Sequence, residues 1–186
     1  MTHYSKELQE HSDLLRLMPS LEPVILQAAQ IIAESIRNGR KLLLVGNGGS
    51  AADCQHLAAE FIGRFINDRR ALPAIALTVD SSALTCVAND YGYDYVFSRQ
   101  VEGLANKGDA LIAISTSGNS PSILNAMEAA KERGVCTITM LGRDGGKAKG
   151  LADCEIIIPS GNTARIQEMH IFVGHFICGE VERILL

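Results

Sequence analysis

Residues 41–60, KLLLVGNGGSAADCQHLAAE, contain the pattern that decides the fold. The stretch opens with an unbroken apolar run at 42–45, which predicts a strand buried on both faces. Three glycines follow and allow a tight turn that brings the backbone close to a ligand. We expect Ser50 to N-cap a helix over 51–65. A helix N-terminus after such a turn can bind an anion, although a turn without a ligand fits the pattern equally well.

The predicted helix places two chemically active side chains on one face. His56 and Glu60 are four residues apart, so both project in the same direction one turn beyond the glycine-rich loop. They could act as two metal ligands or as an acid and a base. A solvated pair on the helix surface is the alternative that the spacing leaves open.

Composition sets limits on the class of protein. The chain has 186 residues, 47% of them hydrophobic, and a net charge of −4, which favours one domain with a substantial core. That charge gives no electrostatic reason to expect nucleic acid or an anionic membrane as a partner. Residues 1–19 lack the apolar region of a signal peptide, and no apolar run is long enough to span a membrane. Five scattered cysteines are typical of small core residues in a reducing cytoplasm.

Strands and helices alternate along the chain. We predict helices over 4–18 and 22–38, which would precede the first strand, and a further helix over 94–105. Asp80 and Ser81 should cap a short helix to about residue 87, and residues 89–92 should form a turn. The remaining predicted elements are strands over 42–45, 73–78, 109–114, 135–141 and 154–158, and helices over 121–133 and 163–186.

This alternation predicts a three-layer α/β fold with a five-stranded parallel sheet, of the flavodoxin or Rossmann type. The N-terminal helices in residues 1–39 exceed what such a fold requires, and we expect them to pack against a partner subunit.

A second loop leaves a predicted strand and enters a helix. It carries four hydroxyl groups, on Ser115, Thr116, Ser117 and Ser120. The first loop matches a relaxed dinucleotide fingerprint, but the acidic residue expected about 20 positions later is displaced. Hydroxyls and helix N–H groups without a fixed lysine are better suited to a small phosphate monoester. A capped turn would explain Ser120 without any ligand.

The predicted C-terminal helix contains further candidate ligands. Glu168 and His175 are seven residues apart, and Gln167 and His175 are eight apart, so either pair could face one site. We expect His170 to be structural or to face solvent. His175, in an apolar stretch, could also be a core histidine.

Four motifs together resemble a known family. They are GNGGSAADCQHLAAEF at 46–61, AND at 88–90, ISTSGNS at 114–120 and TARIQEMHIFVGH at 163–175. The chain resembles the SIS (sugar isomerase) domain family over nearly its whole length. Within that family it is most similar to the bacterial phosphoheptose isomerases.

The resemblance implies an enzyme that converts sedoheptulose 7-phosphate to D-glycero-D-manno-heptose 7-phosphate through an enediol, the first step of nucleotide-activated heptose biosynthesis. It implies a single SIS domain over residues 1–186, a homotetramer, and one divalent metal per subunit, usually zinc. The implied metal ligands are His56, Glu60, Gln167 and His175, so that Gln167 replaces Glu168. We expect Glu60 and His175 to be the catalytic residues. The implied sugar-phosphate site consists of Asn47, Gly48, Gly49, Ser50, Glu60, Asn89, Asp90, Ser115, Thr116, Ser117, Ser120 and Gln167.

One alternative belongs to another functional class. A non-catalytic SIS scaffold, resembling the protein that associates with the DnaA initiator, would use the same fold without chemistry. That branch is expected to lack the catalytic carboxylate and the second histidine, whereas this chain has Glu60 and His175. The sequence therefore favours the enzyme.

Overall fold

The computed structural model describes residues 1–186 and contains five strands and seven α-helices. The strands are β1 (Leu42–Gly46), β2 (Ala74–Ala76), β3 (Ala110–Ser115), β4 (Cys136–Gly142) and β5 (Cys154–Ile158). The helices are α1 (His3–Leu15), α2 (Glu22–Arg37), α3 (Gly49–Ile62), α4 (Ser81–Asp90), α5 (Ser98–Leu104), α6 (Pro121–Glu132) and α7 (Thr163–Leu185). Single 3₁₀ turns occupy Met18–Leu21, Tyr93–Tyr95 and Gly146–Ala148.

All five strands are parallel and form one sheet in the order β2-β1-β3-β4-β5, which confirms the predicted flavodoxin-type arrangement. The chain runs outward from β1 in one direction to β2 and then returns to the other side of β1 with β3. Ligands in open parallel sheets bind outside the carboxyl ends of the strands at such a reversal. The topology therefore places the candidate site between β1 and β3.

The sheet is covered on both faces, as the unbroken apolar strands predict. Leu42 and Leu44 point into a core built with α1, α2, α3 and α7, whereas Leu43 and Val45 point into a core built with α5 and α6. Successive side chains of a strand alternate between faces, so one short run supplies both cores. The first core has 31 buried hydrophobic residues and the second 17, and this difference identifies the face covered by the N- and C-terminal helices as the thicker layer.

Several predicted boundaries are wrong. The first helix ends at Leu15, and Pro19 lies in the first turn of a separate 3₁₀ segment. The helix predicted over 94–105 is a 3₁₀ turn followed by the shorter α5. The strand predicted over 73–78 pairs only over Ala74–Ala76, and the chain enters a turn at residue 77.

Two predictions about turns are corrected as well. Ser50 does not cap α3: the helix begins at Gly49, the N-cap is Gly48 with φ +56°, and Ser50 is buried inside the first turn. Asn89 and Asp90 are the last residues of α4 and not part of a turn. The chain reverses after them, at Gly92, whose φ of +95° favours glycine.

The cysteines only partly match the expectation of small core residues. Cys54, Cys154 and Cys178 are buried, but Cys86 and Cys136 are exposed, and all five are free thiols. Cys54 is buried while His56 is exposed, so the two do face different sides of α3 as their spacing predicts. None of the seven helices has the length and apolar character needed to cross a lipid bilayer.

Candidate active site

The two loops singled out in the sequence lie next to each other. β1 and β3 are neighbours in the sheet, and Gly46 at the end of β1 pairs with Ile114 near the end of β3. The glycine-rich loop and the hydroxyl-rich loop therefore leave the same edge of the sheet from adjacent strands. The structure brings together two segments that are almost 70 residues apart in the sequence.

The glycines of the first loop are required by close packing. A Cβ atom on Gly46 would lie 2.6 Å from the backbone oxygen of Ser50, and a Cβ on Gly49 would lie 2.5 Å from Nε2 of Gln167. A Cβ atom on Gly48 would meet no other atom, but the positive φ of this residue is one that other residues rarely adopt. The loop is thus compact, and its glycines let the side chain of Gln167 from α7 pack directly against the backbone.

Asn47 is held in one orientation by two neighbours. The hydroxyl of Tyr93 donates to Oδ1 of Asn47 at 2.7 Å, and Nδ2 of Asn47 donates to Oγ of Ser122 at 3.0 Å. Because the first contact uses the amide oxygen and the second an amide hydrogen, the two ends of the Asn47 amide are distinguished. Tyr93 thereby links the turn after α4 to the glycine-rich loop.

The hydroxyl-rich loop is partly satisfied from within. Oγ of Ser115 is buried and accepts the N–H of Gly118 at 3.1 Å, and Oγ of Ser117 accepts the N–H of Asn119 at 3.2 Å. Ser120 occupies the N-cap position of α6, as predicted, but its side chain makes no capping hydrogen bond. Thr116 is half-buried in the same loop. The loop therefore has a defined shape before any ligand binds, with the Ser120 hydroxyl free of a capping role.

A three-residue cluster lies about two to three turns into α3, where α7 packs against it. Nε2 of His56 is 3.1 Å from Oε1 of Glu60 and 3.0 Å from Nε2 of His175. The candidate ligand atoms of these three side chains all lie within 4.8 Å of one another. The ring of Phe65 stacks on that of His175, with the ring centroids 5.4 Å apart and the planes 20° from parallel. The structure thus assembles two nitrogens and a carboxylate from two distant helices.

This donor set fits a divalent metal. Two imidazole nitrogens and a carboxylate oxygen are ligands that zinc commonly takes in catalytic sites, with a further position left for substrate or water. Nε2 of His56 and Nε2 of His175 are 3.0 Å apart. Two nitrogen lone pairs that face each other are better placed to bind one cation between them than to interact directly. The residues present are therefore suited to the metal that the resemblance implies.

Asp53 adds a half-buried carboxylate to the same region. Its Oδ2 is inaccessible and has no hydrogen-bond partner within the chain. Burial raises the pKa of this carboxyl group, while the nearby His56 and His175 act in the opposite direction. An unpartnered acidic oxygen beside two histidines is a further indication that this region accommodates a cation or a polar ligand.

Gln167 and Glu168, the two adjacent candidate ligands on α7, have different surroundings. Gln167 lies against Gly49 of the first loop, eight residues and therefore about 12 Å along the helix axis from His175. Glu168 is instead bound by Nδ1 of His11 at 2.7 Å and by Arg165, at the contact between α1 and α7. The pairing of Glu168 with His175, which spacing alone allowed, is therefore wrong.

His170 is structural. It is fully buried, and its Nε2 donates to the backbone oxygen of Leu141 at 3.0 Å, so the alternative that it faces solvent is wrong. Burial lowers its pKa to about 4, and the hydrogen bond to Leu141 acts in the opposite direction. His170 is thus a neutral core residue outside the candidate site.

Asn89 and Asp90 lie apart from the cluster. Nδ2 of Asn89 donates to Oδ1 of Asp90 at 2.8 Å, and both residues are exposed at the end of α4. Their side chains make no hydrogen bond to the other predicted site residues. α4 has no buried residue of its own, so this part of the predicted sugar-phosphate site is the least constrained by the chain.

Three residues near the site were not predicted from the sequence: Asp53, Phe65 and Tyr93. Asp53 precedes His56 by three residues, so helical periodicity could have placed it on the same face. Phe65 lies in the irregular segment after α3, and Tyr93 lies in a single 3₁₀ turn between α4 and α5, so neither belongs to an element long enough to give a periodic signal. Only the tertiary structure brings their rings to His175 and Asn47.

Comparisons with known proteins place the chain in a family. Residues 3–142 match the protein-family model described as SIS domain. The phosphoheptose isomerase of Nitratiruptor sp. is 55% identical over 183 residues, which cover 98% of both chains. The structure of phosphoheptose isomerase GmhA from Neisseria gonorrhoeae superposes with a TM-score of 0.90 at 42% identity, covering 97% of each chain. A phosphoheptose isomerase from Francisella tularensis also gives a TM-score of 0.90, at 35% identity over 98% of this chain and 100% of that one. The chain belongs to the SIS domain family, among its phosphoheptose isomerases.

Proposed function

We propose that this protein isomerises sedoheptulose 7-phosphate to D-glycero-D-manno-heptose 7-phosphate, the first step of nucleotide-activated heptose biosynthesis. The observation that carries the proposal is the meeting of His56, Glu60 and His175 beside the loops that follow β1 and β3. A ketose phosphate needs a place for its phosphate and, several ångströms away, groups that move protons at its first two carbons. The site offers both.

The phosphate would bind at the carboxyl edge of the sheet. Helix N-termini carry free N–H groups and the positive end of the helix dipole, and both α3 and α6 begin there. We assign the sugar-phosphate contacts to Asn47, Gly48, Gly49, Ser50, Asn89, Asp90, Ser115, Thr116, Ser117, Ser120 and Gln167. The fixed orientation of the Asn47 amide supports this role, because a preorganised polar group is not reoriented when substrate binds.

Glu60 and His175 would carry the proton transfers. Glu60 takes the proton from C1 of the ketose, and the electron pair of that C–H bond forms the C1–C2 double bond of an enediol while O2 gains a proton. Return of a proton to C2 and loss of the proton on O1 then give the aldose. His175 moves the proton between the oxygens, a task suited to an imidazole near neutral pH. The carboxylate of Glu60 has two oxygens, so one can bind a cation while the other accepts a proton.

We assign a bound divalent metal, with zinc as the expected ion, to His56, Glu60, Gln167 and His175, at one ion per subunit. The three-residue cluster supports three of these ligands. Gln167 is assigned as the fourth from the resemblance alone, since its side chain lies against Gly49, about 12 Å along the axis of α7 from His175. When bound, such a metal supplies Lewis-acid polarisation of the substrate carbonyl.

We further propose that residues 1–186 form a single SIS domain that acts as a homotetramer in the cytoplasm, with residues 1–39 used in assembly. An apolar groove supports assembly: it is lined by the buried Met18 and Ile25 and by Leu15, Phe172 and Phe176, and large apolar side chains such as these last three rarely remain exposed together without a partner. Five free cysteines support a reducing compartment. The scaffold alternative is disfavoured, because a scaffold has no use for Glu60 and His175 beside a phosphate loop.

An assay of the purified protein tests the proposed function. Zinc-supplemented protein should convert sedoheptulose 7-phosphate to an aldose phosphate, with sedoheptulose lacking the phosphate as the control substrate. Turnover of the phosphorylated sugar should exceed that of the control by orders of magnitude, because the phosphate provides much of the binding energy. Folded, metal-supplemented protein that binds the sugar phosphate without converting it would contradict the enzyme and restore the scaffold.

A further inference from the structure

Arg69, in the segment between α3 and β2, binds the end of the helix that carries Glu60. Its side chain is 4% exposed. Nη1 donates to the backbone oxygens of Phe61 at 2.8 Å and Gly63 at 3.1 Å, and Nη2 donates to that of Glu60 at 2.8 Å. The last carbonyl groups of a helix lack partners within the helix, and a positive charge is favourable there. Arg69 therefore fixes the C-terminal turn of α3, including the backbone of Glu60 itself.

Glu182, on α7, binds the segment that follows α3. Its side chain is 1% exposed and lies 2.9 Å from Nη2 of Arg69. The carboxylate accepts three successive backbone N–H groups, from Phe65 at 2.8 Å, Ile66 at 3.2 Å and Asn67 at 3.0 Å. Burial opposes ionisation of Glu182, but these hydrogen bonds and Arg69 outweigh it and hold its pKa below the ordinary value.

Both halves of this buried pair lead to the candidate site. Glu182 follows His175 by seven residues and so lies on the same face of α7. The N–H group that it binds first belongs to Phe65, whose ring stacks on His175. Arg69, through its contact with the Glu60 backbone, reaches the other helix. The pair thus makes two connections. Arg69 joins the backbone of Glu60 on α3 to Glu182 on α7, and Glu182 binds Phe65, whose ring stacks on His175.

We propose that Arg69 and Glu182 are positioning residues that set the distance between Glu60 and His175. The inference rests on the proposed function and extends it from the reacting groups to the residues that hold them. Stability alone is a weak explanation, because a buried ion pair is often no more stabilising than apolar side chains of the same volume. What distinguishes this pair is where its hydrogen bonds go: to the end of α3 and to the segment that carries Phe65.

Two conservative substitutions test the proposal. Arg69→Lys keeps the charge but loses the planar fork of donors that reaches several carbonyls at once. Glu182→Gln keeps the shape but loses the charge and one acceptor. We expect kcat to fall by about 10- to 100-fold with KM within about threefold, since a displacement of about 1 Å at reacting groups costs up to about 10²-fold. Cobalt(II), bound in place of the proposed metal, should bind at least about 10-fold more weakly or show an altered visible absorption spectrum.

Asp109→Asn provides a matched control. Asp109 is also 1% exposed and pairs with Lys41 at 2.6 Å, but at the amino ends of β1 and β3, the opposite edge of the sheet. It should lower Tm as the two test variants do, yet leave kcat and the cobalt spectrum unchanged. Phe65→Leu is a second test that removes no charge, and it should alter kcat or the cobalt spectrum with little change in Tm.

The outcomes separate the two proposals. If Arg69→Lys and Glu182→Gln lower Tm like Asp109→Asn but keep normal kcat and cobalt binding, the pair is only structural and the inference is overturned. If those variants do not fold, Phe65→Leu decides, and an unchanged kcat and spectrum in that variant overturns it. Wild-type protein without turnover counts against the proposed function, while cobalt binding by the variants, relative to wild type, still tests the pair.

Discussion

Glu60 is the residue on which the proposed chemistry depends most directly. Its carboxylate lies beside His56 on α3, in the cluster completed by His175. Glu60→Gln keeps the size of the side chain but removes the base, so we expect kcat to fall by about 10²- to 10⁴-fold. The measurement is turnover of sedoheptulose 7-phosphate, together with Tm and sugar-phosphate binding to show that the fold is intact.

Glu168→Gln is the matched control for Glu60. Glu168 is a half-buried glutamate on α7 that binds His11 and Arg165 and lies outside the cluster. Its substitution should leave kcat near the wild-type value. Near-normal turnover by Glu60→Gln, or equal losses in both variants, would remove Glu60 from the role of base.

His170 makes a prediction about stability and pH. Its pKa is about 4 in the folded protein and about 6.5 when unfolded. Between these values the unfolded chain is protonated at His170 and the folded chain is not, so stability decreases as pH falls from about 6.5 to 4. The free energy of unfolding should drop by about 1.5 kcal/mol between pH 6.5 and pH 5 through this residue, because the slope approaches its limit of about 1.4 kcal/mol per pH unit only below pH 6.5.

Urea unfolding at a series of pH values measures the effect. His170→Gln can still donate a hydrogen bond towards Leu141 but cannot titrate, so its free energy of unfolding should vary less between pH 6.5 and pH 5. Identical pH dependence in wild type and variant would show that His170 becomes protonated without unfolding.

Single residues also show where sequence reasoning reaches its limit. Helical spacing placed His56 and Glu60 on one face, and the structure confirms their contact. The same spacing could not choose between Gln167 and Glu168 as the neighbour of the site, since adjacent positions differ by only about 100° around a helix. The choice depends on α1, whose His11 binds Glu168, and no local pattern reveals that contact.

At the scale of elements, the candidate metal site is built from α3 and α7. Each helix offers too few ligands for a four-coordinate site by itself. We expect chelation to lower activity, zinc or a similar ion to restore it, and His56→Ala and His175→Ala to weaken metal retention to a similar degree. Metal analysis of gently purified protein, paired with activity after chelation, is the measurement.

His3→Ala is the control for these histidine variants. The His3 side chain is 88% exposed on α1, away from the cluster, and its removal should leave metal content unchanged. Full activity in metal-free protein would remove the metal from the reaction. Glu60 and His175 would then remain as an acid and base pair alone.

Elements with a strong apolar signal were predicted well. The runs at 42–45, 109–114, 135–141 and 154–158 all form strands in one parallel sheet, and the central strands β1, β3 and β4 are buried almost throughout, as their apolar composition indicates. Helix ends were predicted less well. α3 stops at Ile62 and not near Phe65: Gly63 is its C-cap, and Arg69 from the following segment binds carbonyl groups of its last turn. The prediction that Ser50 is the N-cap is wrong, because Gly48, with a positive φ, is the N-cap and the helix begins at Gly49.

At the scale of the whole molecule, exposed apolar side chains predict assembly. Phe172 and Phe176 are 50% and 41% exposed on α7, next to the groove against α1 and α2. We expect a stable homo-oligomer, most simply a tetramer with D₂ symmetry. Phe172→Asp combined with Phe176→Asp should shift the mass measured by light scattering towards the monomer.

Leu151→Asp is the control, since Leu151 is 55% exposed but lies outside this groove. It should keep the wild-type mass. A monomeric wild-type chain at micromolar concentration would contradict the prediction, and an unchanged mass in the double phenylalanine variant would move the interface elsewhere.

The separation of His56 from His175 has a consequence for how the protein is made. The two residues are 119 positions apart, and ribosomes add about 5 to 20 residues per second, so the second histidine is synthesised roughly 6 to 24 s after the first. A nascent chain that has only α3 displays half a site. Any ion or sugar that requires both histidines is therefore captured only after α7 has been translated and has docked. Binding of the proposed metal would thus come late in biogenesis, after α7 has folded onto α3.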